Sequence, residues 1–170
     1  MKSTNADALP CIIDVEASGF GPHSYPIEVG LALDDGGKYC SLILPAKDWT
    51  HWDEAAEKVH RIPRDILEEH GKPAKTIADD LNEILKDRTV FTDGWVVDHP
   101  WINKLFAECQ VYPRFRTSPL EMILTEPQMN VWHQTKDLIL QNLQERRHRA
   151  SFDAAIIQQT WAKTREDTRA

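Results

Sequence analysis

The chain has 170 residues, 41% of them apolar and 28% charged, with a formal net charge of −7. That length suits a single domain with a substantial core, and the acidic balance argues against a general polyanion-binding surface, which is normally basic. No apolar run approaches membrane-spanning length. The start, "MKSTNADALP", lacks the apolar core of a signal peptide, so residues 1–9 read as a polar leader on a cytoplasmic protein.

In chain order, "CIIDVEA", "PIEVGLAL" and "YCSLILP" read as three strands, and "DDGG" (Asp34 to Gly37) signals a hairpin between the second and third. A helical piece runs from about Trp52 to Ile62. "PAKTIADDLNEILKD" is an amphipathic helix beginning near Pro73. "RTVFTDG" is a fourth strand ended by Gly94. "HPWINKLFAECQ" is a helix with Pro100 in its first turn, where a missing N–H does no harm. A fifth strand falls in "YPRFRTSPLEM", and "VWHQTKDLILQNLQE" and "ASFDAAIIQQTWAKT" close the chain as helices. A meander followed by helices alternating with strands predicts an α/β fold, a mixed five-stranded sheet with helices packed on it. No repeat or low-complexity linker divides the chain. Cys11, Cys40 and Cys109 lie in apolar surroundings without metal-binding spacing and read as reduced, buried thiols. The one dense basic run, "RRHR" from Arg146 to Arg149, reads as a solvated face unless its neighbours promote it.

The first strand carries a contradiction. Asp14 and Glu16 sit inside an apolar segment, two residues apart and therefore on one face. Two other acids occupy comparable places. Asp98 precedes the stripe Trp101, Ile102, Leu105, Phe106 and Cys109; Asp153 precedes Ile156, Ile157, Thr160 and Trp161. Each of these aspartates also has a structural reading as a helix N-cap, and for Asp153 a salt bridge is a further one. Four carboxylates aimed at one interior would not all ionise without positive charge between them. Mg²⁺ or Mn²⁺ is the natural counter-charge for oxygen ligands, and two such ions can hold the attacking and leaving oxygens of a phosphodiester in line.

His148 lies five residues before Asp153, but spacing does not single it out, because His23–Glu28 and His60–Asp65 share it. Five residues on an unbroken helix rotate by about 140°. The two side chains meet only if His148 lies in the loop before the helix and Asp153 in its first turns. There a histidine can take a proton from water near neutral pH.

The order Asp-x-Glu, Asp, His-x4-Asp resembles the DEDD exonuclease superfamily, in the branch with histidine in its third motif. "DVEASGFG" is similar to the first motif and holds the sequence's only Asp-x-Glu; "VVDHPWINKLF" is similar to the second and "HRASFDA" to the third. "VHRIPRDIL" is close to the family's Val-His-Gly-Ile segment, with Arg61 in place of glycine. The resemblance spans about Cys11 to Trp161. It implies a ribonuclease H-like fold and a single 3′→5′ exonuclease domain over 1–170, acting on single-stranded DNA or RNA 3′ ends and releasing nucleoside 5′-monophosphates. It further implies that Asp14, Glu16, Asp98 and Asp153 bind two Mg²⁺ or Mn²⁺ ions and that His148 is the general base. Ala17, Ser18, Gly19 and Phe20 would lie against the terminal nucleotide, Phe20 as a wedge, with Val59 and His60 touching the same nucleotide or simply packing a helix end. Asp93 is a rival to Asp98 as the second-motif ligand. A non-catalytic binding protein of the same fold and a small-nucleotide phosphodiesterase remain alternatives. Relatives of this kind occur as monomers, homodimers and polymerase subunits, so the oligomeric state stays open.

Overall fold

In a computed structural model describing residues 8–143 and 149–169, β1 (Cys11–Ala17), β2 (Pro26–Ala32) and β3 (Lys38–Leu42) form the antiparallel meander. The turn between β2 and β3 falls on the expected "DDGG". The Leu33 N–H donates to the Gly37 carbonyl at 2.8 Å, and the Gly37 N–H donates to Asp35 Oδ1 at 2.8 Å. β4 (Thr89–Thr92) and β5 (Arg116–Pro119) add in parallel on the other side of β1. The sheet order is β3-β2-β1-β4-β5, the mixed five-stranded sheet read from the sequence. Every residue of β2 is buried, which fits a strand flanked by strands and covered on both faces.

Among the described residues six α-helices accompany the sheet: α1 (Glu54–His60), α2 (Arg64–His70), α3 (Ala74–Ile84), α4 (Trp95–Glu108), α5 (Glu126–Gln141) and α6 (Ala150–Asp167). The side-chain alternation of β1 sorts them into two layers. Cys11, Ile13, Val15 and Ala17 join Ile77 and Leu81 of α3 and Trp101, Ile102, Leu105 and Phe106 of α4 in one apolar cluster. Ile12, with Ala32 of β2, joins Trp132 of α5 and Ala154, Ala155, Ile157 and Trp161 of α6 in the other. Asp14 and Glu16 have the parity of Ile12, so they stand on the α6 side.

Several boundaries differ from the sequence reading, each for a local reason. α4 begins at Trp95 rather than after Asp98, so Pro100 lies inside the helix and not in its first turn. Asp98 is the fourth helical residue, its N–H donating to the Gly94 carbonyl at 2.9 Å, and is no N-cap. Asp153 is likewise the fourth residue of α6, whose N-cap is Arg149. α5 starts at Glu126 because Thr125 and Gln128 form a capping box, a signal present in "TEPQ". α2, absent from the sequence reading, follows Pro63 and buries Leu67. α1 is shorter than expected and stops at Arg61, which is left-handed at φ 58°. Helices favour glycine at that position, the residue found there in the segment that "VHRIPRDIL" resembles. The cysteines are all free, but only Cys11 is buried. Cys109 is half-buried, and Cys40, on edge strand β3, is exposed. Leu9 packs against the α6-side cluster, whereas residues 1–7 of the expected leader lie outside the described residues.

Gly30 on β2 is where α6 approaches the sheet most closely. A Cβ there would sit 2.0 Å from the Ser151 backbone nitrogen and 2.1 Å from the Ala150 carbonyl carbon. Backbone cannot swing aside as a side chain can. Gly30→Ala is therefore expected to destabilise the protein by about 2–3 kcal/mol or more, read as a lowered midpoint in urea unfolding.

Candidate metal centre

The acid-bearing positions converge at one end of the sheet from both layers. Carboxylate oxygens of Asp14, Glu16 and Asp153 all lie within 4.8 Å of one another, close enough to share an ion. Asp98 is not a member of that trio. It comes from α4, on the opposite layer from α6, and is buried beside it, bordering the same cavity as Asp14 and Glu16. Both helical aspartates stand in the first turns of their helices, where the positive end of the helix dipole favours a carboxylate.

Among the described residues, neither Asp14 nor Glu16 has a hydrogen-bond or ion-pair partner, and the electrostatics show the result. Burial pushes the Asp14 carboxyl well above the usual carboxylate range, and Asp98, Glu16, Asp153 and Asp93 add repulsion. Glu16 is raised to about 7, by burial first and then by Asp153, Glu28 and Asp98. Asp98 is also raised to about 7 by burial, although a hydrogen bond from the Thr92 hydroxyl opposes the shift. The same hydroxyl accepts from the Gly94 N–H at 2.9 Å, tying the end of β4 to the start of α4 and fixing Asp98 between them. Asp93 differs from the other acids. Lys136 of α5 donates to it at 2.7 Å, so it already has a counter-charge.

The cavity over these acids is about 270 Å³. Ala17, Gly19 and Phe20 form one wall, Val59 and His60 a second, and Gly94, Val97 and Trp101 of the α4 region a third. Ser18 is not among the lining residues. It is fully buried, and its hydroxyl accepts from the Tyr25 N–H at 3.1 Å and meets His51 Nδ1 at 3.0 Å. A Cβ on Gly19 would come within 2.8 Å of the Asp53 side chain, so a bare backbone is needed where this turn passes α1. Phe20 is 73% exposed, yet its ring stands 6.1 Å from that of Trp101, centroid to centroid. The turn carrying it is stitched to α4. Trp101 Nε1 donates to Ser24 Oγ at 2.9 Å and Lys104 Nζ to the Ser24 carbonyl at 2.6 Å.

His60 is buried while its neighbour Val59 is exposed. The Ile62 N–H donates to His60 Nδ1 at 3.1 Å, which leaves the ring proton of the neutral tautomer on Nε2. That Nε2 is buried with no hydrogen-bond partner among the described residues. Burial lowers the pKa of this histidine, so the ring favours its neutral form and offers one unspent donor. His148, with Arg146 and Arg147 of the basic run, lies outside the described residues; Arg149 is described and pairs with Glu28.

Sequence reasoning missed Thr92, Lys104, Lys136 and Glu28. For three of them the role depends on contacts across at least 43 residues or on a rotamer, which no local pattern reveals. Glu28 did carry a signal: it is an acid inside the apolar segment "PIEVGLAL", the same anomaly that singled out Asp14 and Glu16.

No protein-family model matches this chain, and no curated protein matches its sequence. Solved structures do. Exonuclease I from Methylocaldum szegediense superposes with a TM-score of 0.71 at 13% identity, over 95% of this chain and 41% of that one. E. coli Exonuclease I in complex with a dA16 oligonucleotide gives 0.70 at 13% identity, over 94% of this chain and 42% of that one. The zinc-bound form of the E. coli enzyme with single-stranded DNA gives 0.67 at 14% identity, over 95% and 42%. The chain thus spans about two fifths of the length of these three proteins. No helix among the described residues is long and apolar enough to cross a membrane. The likeness establishes that the chain has the ribonuclease H-like fold of Exonuclease I.

Proposed function

We propose that residues 1–170 form one metal-dependent 3′→5′ exonuclease domain that shortens single-stranded nucleic acid and releases nucleoside 5′-monophosphates. The observation that carries this reading is the trio Asp14, Glu16 and Asp153, with oxygens inside 4.8 Å and, among the described residues, no basic partner on Asp14 or Glu16. An all-oxygen, strongly anionic donor set fits Mg²⁺ or Mn²⁺. Asp98 completes the set, and it is a better candidate than Asp93, which Lys136 already neutralises. The Exonuclease I structures with single-stranded DNA and with zinc lend support to both substrate class and metal dependence.

The divalent pair, when bound, supplies Lewis-acid stabilisation of the attacking and leaving oxygens. The chain's own groups do the rest. Phe20, exposed and backed by Trp101, offers a ring for the terminal base. Ala17 and Gly19 let the nucleotide lie close to the backbone, and Val59 closes the far wall. His60 packs behind Val59 on that wall. Ser18 acts from behind, fixing the turn through the Tyr25 N–H. His148, just ahead of the α6 N-cap, takes the proton from the attacking water.

With Mn²⁺ or Mg²⁺, a 5′-labelled oligonucleotide should shorten one residue at a time, and EDTA or Asp14→Ala should each abolish the ladder. A fully active Asp14→Ala protein would end the nuclease reading. Matched DNA, RNA and dinucleotide substrates run side by side separate a polymer exonuclease from a small-nucleotide phosphodiesterase. His148→Ala should slow turnover by roughly 10²–10⁴-fold with Mn²⁺ binding retained in calorimetry; unchanged turnover would assign the base elsewhere. Protons and metal compete for the same oxygens. Since Glu16 and Asp98 both titrate near 7, Mn²⁺ affinity should rise at least about tenfold from pH 6 to pH 8. The sign for stability is the reverse. These carboxyls hold more protons folded than unfolded between their ordinary range, near 4, and about 7. Their contribution in the metal-free protein therefore falls as pH rises through that window, and the gain in Tm on adding Mn²⁺ should be larger at pH 8 than at pH 6.

A further inference from the structure

We propose that Glu28 is a positioning residue that fixes the first turn of α6 and thereby holds Asp153 against Asp14 and Glu16; this rests on the nuclease reading of that cluster. Glu28 is fully buried on β2 and stands directly opposite Glu16 in the β1–β2 register. Unlike Glu16 it is densely bonded. Arg149 Nε donates to Oε1 at 2.6 Å and Nη2 lies 2.5 Å from the same oxygen. The Ala150 N–H donates to Oε2 at 2.9 Å, and the Cys40 thiol donates to Oε1 at 3.3 Å.

These contacts fall where α6 is otherwise weakest. Its N-cap residue, Arg149, makes no side-chain capping bond, so the Ala150 N–H that opens the helix has no acceptor from the cap. Glu28 supplies one from another strand, 122 residues earlier in the chain. Its negative charge also meets the positive end of the helix dipole. Gly30, two residues on, carries no Cβ and lets the Ala150–Ser151 backbone settle onto β2 beside it. From Ala150 to Asp153 is less than one helical turn. A carboxylate that pins the first residue therefore sets both the height and the rotation of the fourth. Arg149 has a second effect. By pairing with Glu28 it keeps a fifth acid from competing with the cluster for positive charge.

The test compares wild type, Glu28→Gln, Asp153→Asn and the double variant, using Mn²⁺ titration calorimetry, oligonucleotide kinetics and urea unfolding in EDTA. Glu28→Gln, assayed where unfolding shows it folded, should bind Mn²⁺ about tenfold more weakly. Its kcat should fall while KM for the oligonucleotide stays unchanged. In the Asp153→Asn background, Glu28→Gln should add no further loss, because its effect runs through Asp153. Wild-type Mn²⁺ affinity and kcat in Glu28→Gln, or losses that simply add in the double variant, would overturn the proposal. If Glu28→Gln does not fold, Arg149→Lys carries the same test. It keeps the charge but loses the planar fork, and should weaken Mn²⁺ binding in the same direction; unaltered affinity would count against the proposal. A wild-type protein that neither binds Mn²⁺ nor cuts would overturn the nuclease reading itself, whereas normal wild type beside an unaffected variant removes only the role of Glu28.

Discussion

The burial of carboxylates that the fold crowds together is the constraint around which the rest of this structure is arranged. Asp14 and Glu16 share a face of β1 with no cationic partner among the described residues, and Asp153 closes on them to within 4.8 Å. Burial first, and then this proximity, raises the energy of the ionised state, and the upward shifts of Asp14 and Glu16 record both. A protein built only for stability would replace these residues with apolar ones or pair them with arginine. This one does pair its nearby acids, Asp93 with Lys136 and Glu28 with Arg149, and gives Asp14 and Glu16 no such partner among the described residues. Selective neutralisation around an unneutralised centre is what a site awaiting external positive charge requires.

The architecture delivers the acids by symmetry of position rather than of sequence. α4 and α6 lie on opposite layers, yet each presents an aspartate as its fourth residue at the same end of the sheet. Each helix start is held by a side chain from a strand: Thr92 of β4 for α4, Glu28 of β2 for α6. Strand β1 lies between those two strands in the sheet and contributes its own pair of acids. The cluster is thus fixed to three adjacent strands and needs no loop to define it, which favours tight positioning of its carboxylates.

Much of this was legible in the chain. Acids at +2 within an apolar strand, and acids heading stripes of period 3.6, are anomalies against strong local patterns, so they stood out without a structure. What failed were boundaries and cross-strand facts. Pro100 looked like a first-turn residue because prolines favour that place, but the fixed Gly94 turn starts α4 five residues before it. Asp98 therefore shifted from a suspected cap to a helical position, without losing its aim into the cavity. Glu28 was visible as an acid but not as a partner of Arg149, because its role follows from register between strands and from a helix far downstream. The Lys136–Asp93 pair, which bears on the choice between two candidate aspartates, spans 43 residues and has no sequence signature.

The dependence of β2 on α6 also bears on the order in which the molecule can be completed. Until residues 150–167 have left the ribosome, Ile12 and Ala32 have no α6 to cover them, and Glu28 is a carboxylate without its guanidinium. The meander is made early, yet it cannot become a finished native layer by itself. Docking of α6 is then the step that completes this layer. The same event that covers this face of the sheet brings Asp153, the third acid of the trio, beside Asp14 and Glu16.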